Sequence, residues 1–173
     1  MKNLLILFGL LFVFACAQIR VTYDYEKTSD FLKYKTYNYY SDLDTGLGEL
    51  DTNRLLNALD KHLETKGLTL SETPDFFINI QSTDYREAQR STMGVGIGGT
   101  GGNVGGGISV GIPIGQAQMN RIIQFDFINE DGIGLFWQAI SESTYNPNAT
   151  PQEREDVLNA IVIKVLQGYP PKS

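Results

Sequence analysis

Apolar and polar positions alternate with period two along several stretches of this chain, and each stretch predicts a half-buried strand. The stretches span residues 19–25, 34–40, 75–83, 119–128 and 133–144. The turn-forming run Asn129-Glu130-Asp131-Gly132 separates the last two, which predicts an antiparallel hairpin. The residues of this hairpin that we expect in the core are Phe125, Phe127, Leu135 and Trp137.

Two further stretches carry apolar residues at intervals of three and four, which is typical of a helix packed by one face. In the first, Leu55, Leu56, Leu59 and Leu63 share a face. Asp51 is its predicted N-cap, and Leu50 and Leu55 occupy the positions of a hydrophobic staple. Gly67 is the expected left-handed stop.

The second helix begins with Thr150-Pro151-Gln152-Glu153, which has the form of a capping box with proline at the first helical position. Its apolar face comprises Val157, Leu158, Ile161, Val162, Val165 and Leu166. Gly168 and the following prolines end it. The order of elements predicts an α+β fold, a single two-layer domain with an antiparallel sheet and two helices packed on one face.

Residues 94–115 contain eleven of the eighteen glycines, and valine or isoleucine alternates with glycine or serine in both arms. This pattern predicts a Gly-rich hairpin or flap inserted in the domain. We expect it to be weakly ordered, because glycine loses much entropy on ordering and adds no packing. It is interpreted either as a tolerated insertion or as a hairpin that adds strands to a partner or to a second copy.

Residues 1–15 form a short apolar run after one lysine and end on a small residue, directly before Cys16. The run is too short to span a bilayer and is typical of a secretory signal peptide. Val13-Phe14-Ala15-Cys16 is similar to the lipobox of bacterial lipoproteins. We therefore expect cleavage before Cys16, a diacylated (palmitate-type) cysteine, a tether over 16–18 and a domain over 19–173. The alternative is a plain signal peptide with an incidental cysteine.

The chain has a net charge of −6 and a pI near 4.7, so it lacks the basic surface that nucleic acid requires. Membrane attachment then has to come from acyl chains rather than from basic residues. Cys16 is the only cysteine, which excludes an intramolecular disulfide.

Several motifs resemble, in order and spacing, a family of bacterial lipoproteins, domain of unknown function 4136. They are Val21-Thr22-Tyr23-Asp24-Tyr25, Phe31, Tyr34, Tyr37, Lys66-Gly67-Leu68, Pro74-Asp75-Phe76, Trp137 and Gly168-Tyr169-Pro170-Pro171. The resemblance covers nearly the whole chain after Cys16. It implies a cell-envelope lipoprotein and carries no catalytic residues.

The motifs for phosphate binding, calcium binding and nucleophilic catalysis are incomplete. Gly94–Gly99 matches a phosphate-binding glycine pattern, but more glycine follows it instead of a helix. Asp42–Gly46 begins like a calcium loop, yet Leu47 and Asn53 stand where glycine and glutamate are needed. His62, the only histidine, has no serine beside it and is interpreted as a solvated helix residue. We therefore expect neither a metal nor a cofactor.

These observations favour a non-enzymatic, lipid-anchored binding or assembly module of the cell envelope, at the outer membrane of a Gram-negative bacterium. Its expected partners are the membrane, through the acyl chains on Cys16, and an envelope protein or second copy, through the Gly-rich hairpin. The alternative is a hydrolase acting on envelope glycans or lipids, which would need convergent carboxylates with perturbed pKa values. The tyrosines, nine in all, are interpreted as half-buried packing residues rather than as a ligand-stacking surface.

Overall fold

The computed structural model describes residues 19–86, 92–94, 111–113, 119–132 and 134–172. Its strands are β1 (Arg20–Tyr25), β2 (Thr36–Tyr39), β3 (Thr69–Leu70), β4 (Phe76–Arg86), β5 (Thr92–Gly94), β6 (Gly111–Pro113), β7 (Met119–Asn129) and β8 (Gly134–Thr144). Its helices are α1 (Glu49–Thr65) and α2 (Pro151–Leu166), with a 3₁₀ turn at Phe31–Lys33.

One open sheet of six strands has the order β1-β8-β7-β4-β2-β3, and with the two helices it forms the predicted α+β fold. The sheet is mixed rather than wholly antiparallel, because β2 runs parallel to both β3 and β4. A parallel neighbour requires a long crossover connection, and α1 lies within the segment that links β2 to β3 and β4. The expected antiparallel pairing is found between β1 and β8, between β8 and β7, and between β7 and β4, and a tight turn joins β7 to β8.

The core lies between one face of the sheet and the apolar faces of the helices. It includes the predicted Phe125, Phe127 and Trp137, each fully buried. Leu135 is 48% exposed, so its predicted place in the core is wrong, and Phe136 is buried instead. An irregularity in the β7–β8 register between Phe127 and Ile128 shifts the alternation at this point.

The start of α1 differs from the prediction. The N-cap is Gly48 rather than Asp51, and it makes no side-chain cap hydrogen bond. Asp51 lies within the first turn and is buried, because its carboxylate serves as an ion-pair partner. Leu50 is 69% exposed and therefore does not form the predicted staple with the buried Leu55. The predicted stop at Gly67 is confirmed by its positive φ of 79°.

At the start of α2 the predicted capping box is confirmed: Thr150 Oγ1 accepts from the Glu153 N–H, and the Glu153 carboxylate accepts from the Thr150 N–H. The helices pack side by side in the same direction, since Asp51 meets Arg154 near their starts and Lys66 reaches the carbonyl of Tyr169 beyond their ends. Their first turns therefore lie at the same end of the domain.

One end of the sheet gathers the start of β1, the end of β4, the start of β7 and the end of β8. The register sets Arg20 opposite Glu142, and Arg121 opposite both Ser143 and Asp84. We call this the proximal end, because the chain passes into β1 here from residues 1–18. The first turns of both helices lie over it, since Asp51 of α1 is 4.0 Å from Arg121.

The flanks of the Gly-rich segment pair antiparallel, with Met93 opposite Ile112 in a separate two-stranded sheet. This pairing is the arrangement expected of a hairpin. Most of the segment, residues 95–110 and 114–115, lies outside the described residues, as do Cys16 and the rest of residues 1–18.

Candidate functional site

Three of the chain's six arginines surround Asp51 at the proximal end. Arg54 Nη1 donates to Asp51 Oδ1 over 2.7 Å, and Arg154 Nη1 donates to Oδ2 over 2.9 Å. Arg121 Nη1 lies 4.0 Å from the same Oδ2. These side chains come from α1, α2 and β7, so the cluster joins both helices to the sheet.

Arg121 is the charged residue on an otherwise apolar strand face. Its Nε and Nη2 donate to the two carboxylate oxygens of Asp84 over 2.6 and 2.8 Å, a bidentate pair across β7 and β4. Its guanidinium carbon lies 3.7 Å from the centre of the Tyr145 ring. Burial would lower the pKa of Arg121, but the hydrogen bonds to Asp84 outweigh it and raise the pKa.

Arg154 fixes the loop between β8 and α2. Its Nε donates to the carbonyl of Ala149 and its Nη2 to the carbonyl of Pro147, over 3.1 and 2.7 Å. Hydrogen bonds to Tyr145 and Asp51 raise the pKa of Arg154. The loop therefore keeps a defined shape beside the cluster.

A cavity of about 360 Å³ opens between the end of β8 and the first half of α2, directly beside this cluster. Its apolar lining comes mainly from Ala149, Val157, Leu158 and Ile161, and its polar wall from Asp51, Arg121, Ser143, Thr144, Tyr145, Asn146, Glu153 and Arg154. The cause is visible in β8, whose buried residues shrink from Phe136 and Trp137 to Ala139, Ser141 and Ser143. The helix cannot close on side chains this small without leaving space.

The carboxylates that line the cavity already have strong partners. Asp51 accepts from two arginines, and Glu153 accepts from the backbone and hydroxyl of Thr150, which lower the pKa of Glu153. General acid–base catalysis requires a carboxyl group poised near neutral pH. The cavity offers a ligand apolar contact on one side and guanidinium groups on the other.

The other predicted candidates lie elsewhere. Cys16 and residues 95–99 of the glycine motif are outside the described residues. His62 is half-buried rather than fully solvated, and its Nε2 lies 2.9 Å from Asn159 Oδ1. Across the described ranges, no group of three or more histidine, cysteine, aspartate or glutamate side chains is placed to hold a metal ion.

The loop with the incomplete calcium pattern has a structural explanation. Asp44 Oδ1 accepts from the N–H of Gly46, and the carbonyl of Thr45 accepts from the N–H of Ser82 in β4. Gly46 has a φ of +69°, and a Cβ there would lie 2.8 Å from the backbone carbonyl oxygen of Ser82. The polar residues and the glycine of this loop are therefore explained by the turn and by its packing against β4, with no need for a bound ion.

Two tyrosines of β2 share one acceptor. The hydroxyls of Tyr37 and Tyr39 both donate to Asp60 Oδ1 over 2.7 Å, and burial is the main cause that raises their pKa values. Tyr37 is fully buried, as expected of a packing residue.

Sequence reasoning missed the arginine cluster and its cavity. One signal was present: Arg121 has the same strand parity as Ile123, Phe125 and Phe127, which puts a charge on the face that packs against the helices. A charge at such a position needs a partner. The partner lies on helices distant in the sequence, which the alternation does not reveal.

No helix in the described part of the chain is long and apolar enough to cross a membrane. Comparison with curated proteins gives no match. Among solved structures, the chain is similar to a PDZ domain protein from Parabacteroides distasonis, with a TM-score of 0.58 and 14% identity. The match covers 91% of this chain but 37% of that protein, so the present chain spans well under half of its length.

A second similar structure is a dodecameric PelC variant from Paraburkholderia phytofirmans, with a TM-score of 0.49, 12% identity and coverage of 86% of this chain and 95% of that one. At these identities the likeness to the PDZ domain protein concerns the fold alone. The sequence profile of one family, described as a domain of unknown function (DUF4136), matches residues 21–171. That match spans most of the sequence and confirms the resemblance drawn from its motifs, and the chain belongs to the DUF4136 family.

Proposed function

We propose that this protein is a lipid-anchored lipoprotein of the cell envelope, at the outer membrane of a Gram-negative bacterium, and that it acts as a non-enzymatic binding module. Cys16 carries the acyl chains, and the cavity at the proximal end is the binding site. The observation that carries the proposal is the short separation in sequence between Cys16 and Ile19, the buried residue that precedes β1.

The tether between the acyl chains and the sheet is short. Three residue steps separate Cys16 from Ile19, which is buried and precedes the first residue of β1. Three residues span at most about 10 Å when extended. Acylation of Cys16 would therefore hold the proximal end, with its cavity, at the membrane surface.

The charge at the proximal end suits this placement. Five of the six arginines lie there, namely Arg20, Arg54, Arg86, Arg121 and Arg154. Carboxylates also lie at this end, among them Glu49, Asp51, Asp84, Glu142, Glu153, Glu155 and Asp156. The proximal end therefore gathers most of the arginines of a chain whose net charge is −6, and these are the cationic groups that anionic headgroups would meet there.

The non-enzymatic assignment is supported by the state of the cavity's acids. The Asp51 carboxylate accepts hydrogen bonds from Arg54 and Arg154, and the cap hydrogen bonds from Thr150 lower the pKa of Glu153. A general acid would instead need a carboxyl group with a raised pKa. A further envelope protein, or a second copy recruited through residues 94–115, is part of the proposal.

Mass spectrometry of the N-terminal peptide and membrane fractionation test the anchor. We expect a diacylated Cys16 as the first residue and loss of membrane association in Cys16→Ser. Arg20→Gln is the matched control: it removes a nearby charge but keeps the lipid, and its protein should stay in the membrane fraction after a high-salt wash. An unmodified Cys16, or a different first residue, overturns the proposal.

A further inference from the structure

We propose that the cavity between β8 and α2 binds one acyl chain of an anionic membrane amphiphile, with the headgroup beside Arg121 and Arg154. The placement next to a membrane rests on the proposed function. The shape, the lining and the charge of the cavity are independent of it.

The size and lining of the cavity fit an apolar chain. Its volume of about 360 Å³ lies in the lower part of the range of small-molecule sites. Val157, Leu158 and Ile161 supply an apolar wall along about one turn of α2. Ser143 on the facing strand is buried and small, so the space continues down to the sheet. An unbranched chain can follow such a gap, whereas a sugar would leave its hydroxyl groups without partners along the apolar wall.

The polar wall favours an anionic headgroup. Arg121 and Arg154 line the cavity together with Asp51 and Glu153. The Asp51 carboxylate is already occupied by Arg54 and Arg154, whereas Arg121 Nη1 lies 4.0 Å from it, beyond hydrogen-bond distance. Glu153, the other carboxylate in the lining, is tied to Thr150. Arg121 is 11% exposed, so an anion that reaches its Nη1 does so in a poorly solvated site, where a charge-assisted hydrogen bond is strong.

The cavity also lies where the chain would meet a membrane. Ile19 precedes Arg20, which pairs with Glu142, so Ile19 lies beside Ser143 in the cavity lining. The carbonyl of Ile19 accepts from Lys164 Nζ over 2.8 Å, and Lys164 follows Ile161 by one turn of α2. The described chain therefore begins, at Ile19, beside the rim of the cavity. If Cys16 is anchored in the membrane, a lipid needs to rise only a short way from the bilayer to reach this cavity.

The test uses photo-crosslinking in vesicles. The protein, purified from membranes, is reconstituted in phosphatidylcholine vesicles that contain either a diazirine-chain phosphatidylglycerol or the corresponding phosphatidylcholine. After irradiation, labelled peptides are mapped by mass spectrometry. We expect labelling concentrated on residues 157–161, saturable by unlabelled phosphatidylglycerol, and weaker with the neutral probe.

Two pairs of variants separate chain from headgroup. Ser143→Phe fills the cavity and should abolish the concentrated labelling, while Thr22→Phe, on the opposite face of the sheet, should not. Where Ser143→Phe does not fold, Val157→Phe fills the cavity from the helix side.

The second pair tests the headgroup. Arg121→Gln should weaken competition by phosphatidylglycerol about tenfold, because one charge-assisted hydrogen bond is lost, and it should leave labelling by the neutral probe unchanged. Arg86→Gln removes the same charge outside the cavity and should have no effect.

The outcomes distinguish this inference from the anchor. If Cys16 proves to be unmodified, the anchor is overturned. If a free diazirine lysophosphatidylglycerol nevertheless labels residues 157–161 of that protein, lipid binding in the cavity is upheld. Labelling spread evenly over a membrane-anchored protein, or labelling unchanged in the cavity-filling variant, overturns the cavity. Equal labelling by both headgroups, with no effect of Arg121→Gln, overturns the choice of an anionic ligand.

Discussion

Arg154 Nη1 donates to Asp51 Oδ2 over 2.9 Å, although the two residues are 103 positions apart in the sequence. This hydrogen bond joins the first turn of α1 to the first turn of α2. The same carboxylate accepts from Arg54 within its own helix, and Arg121 approaches it from the sheet. Asp51 thus sets the relative position of α1, α2 and β7 at the proximal end. Asp51 also lines the adjacent cavity.

Removing the Asp51 carboxylate should be costly. Asp51→Ala leaves three arginines facing one another, and because they are partly buried we expect the free energy of unfolding to fall by about 2–4 kcal/mol. Urea denaturation measures the change. Asp156→Ala, which removes an exposed carboxylate from the same region of α2, is the control and should change stability by less than about 0.5 kcal/mol. An equal loss in both variants would mean that the cluster has no special role.

The apolar face of α2 gives a second prediction. Ile161 is 1% exposed, whereas Ile163, two residues later, is 40% exposed. Ile161→Ala should lower the free energy of unfolding by about 2–5 kcal/mol, the range for a buried aliphatic side chain, while Ile163→Ala should cost less than about 0.5 kcal/mol. Leu158→Ala should behave like Ile161→Ala. A small effect at both buried positions would place this face on the surface and contradict the two-layer arrangement.

Local patterns were sufficient to predict most of the fold. The capping box at Thr150, the positive φ at Gly67 and the hairpin around Asn129 each depend on a few neighbouring residues, and all were found from the sequence. Leu135 was misassigned because Phe136 is an extra residue in β8 where the β7–β8 register shifts, and a period-two alternation does not reveal such a bulge. The short strand β3 was missed, since two exposed residues carry no period.

The candidate site was harder to predict because its parts are distant in the chain. When its own helix is considered alone, the position of Asp51 predicts an N-cap. Its true role depends on Arg121 and Arg154, which come from a strand and from the second helix. The cavity likewise results from small residues on β8 that face α2, a pairing that only the packed structure defines.

Asp75 should make stability depend on pH. Burial alone would raise its pKa, but its carboxylate accepts the N–H groups of Lys35 and Thr36, both over 2.8 Å, and these lower the pKa below its ordinary value. A lowered folded-state pKa adds stability above the unfolded-state value of about 3.9 and loses it as the pH falls through the folded-state value.

The variant Asp75→Asn should therefore lower the free energy of unfolding by about 1 kcal/mol near pH 7, with solvent screening keeping the effect small at this exposed site. The difference from the parent should shrink in acid and vanish below the folded-state pKa. Denaturation at a series of pH values measures it. Glu72→Gln, a neighbouring exposed position, is the control, and a difference that stayed constant with pH would contradict this role for the carboxylate.

A substitution of His62 tests the alternative hypothesis that the protein is a hydrolase. Its Nε2 lies 2.9 Å from Asn159 Oδ1, a contact between α1 and α2 that accounts for the residue without catalysis. His62→Ala should leave any hydrolytic activity of the purified protein toward glycan or lipid ester substrates within a few-fold of the parent. Asn159→Ala removes the other partner and should match it in stability. A loss of roughly a hundredfold in His62→Ala alone would instead identify a general base.

The Gly-rich segment gives the last prediction. The antiparallel ladder between β4 and β7 is continuous from Phe77 opposite Ile128 to Arg86 opposite Met119, so the six-stranded sheet includes no residue of 94–115. Replacing residues 94–115 by a short Asn-Gly turn should therefore leave the melting temperature nearly unchanged. In our proposal, the same deletion abolishes recovery of an envelope partner or self-association, measured by pull-down and analytical ultracentrifugation.

A matched variant keeps the length of the segment and replaces its valines and isoleucines by serine. Because strand addition requires the alternating apolar side chains as well as the backbone, this variant should lose association as completely as the deletion. Unfolding of the deletion variant would assign residues 94–115 to the core. Association that survives both changes would leave the segment as a tolerated insertion, since neither its length nor its apolar alternation would then contribute to binding.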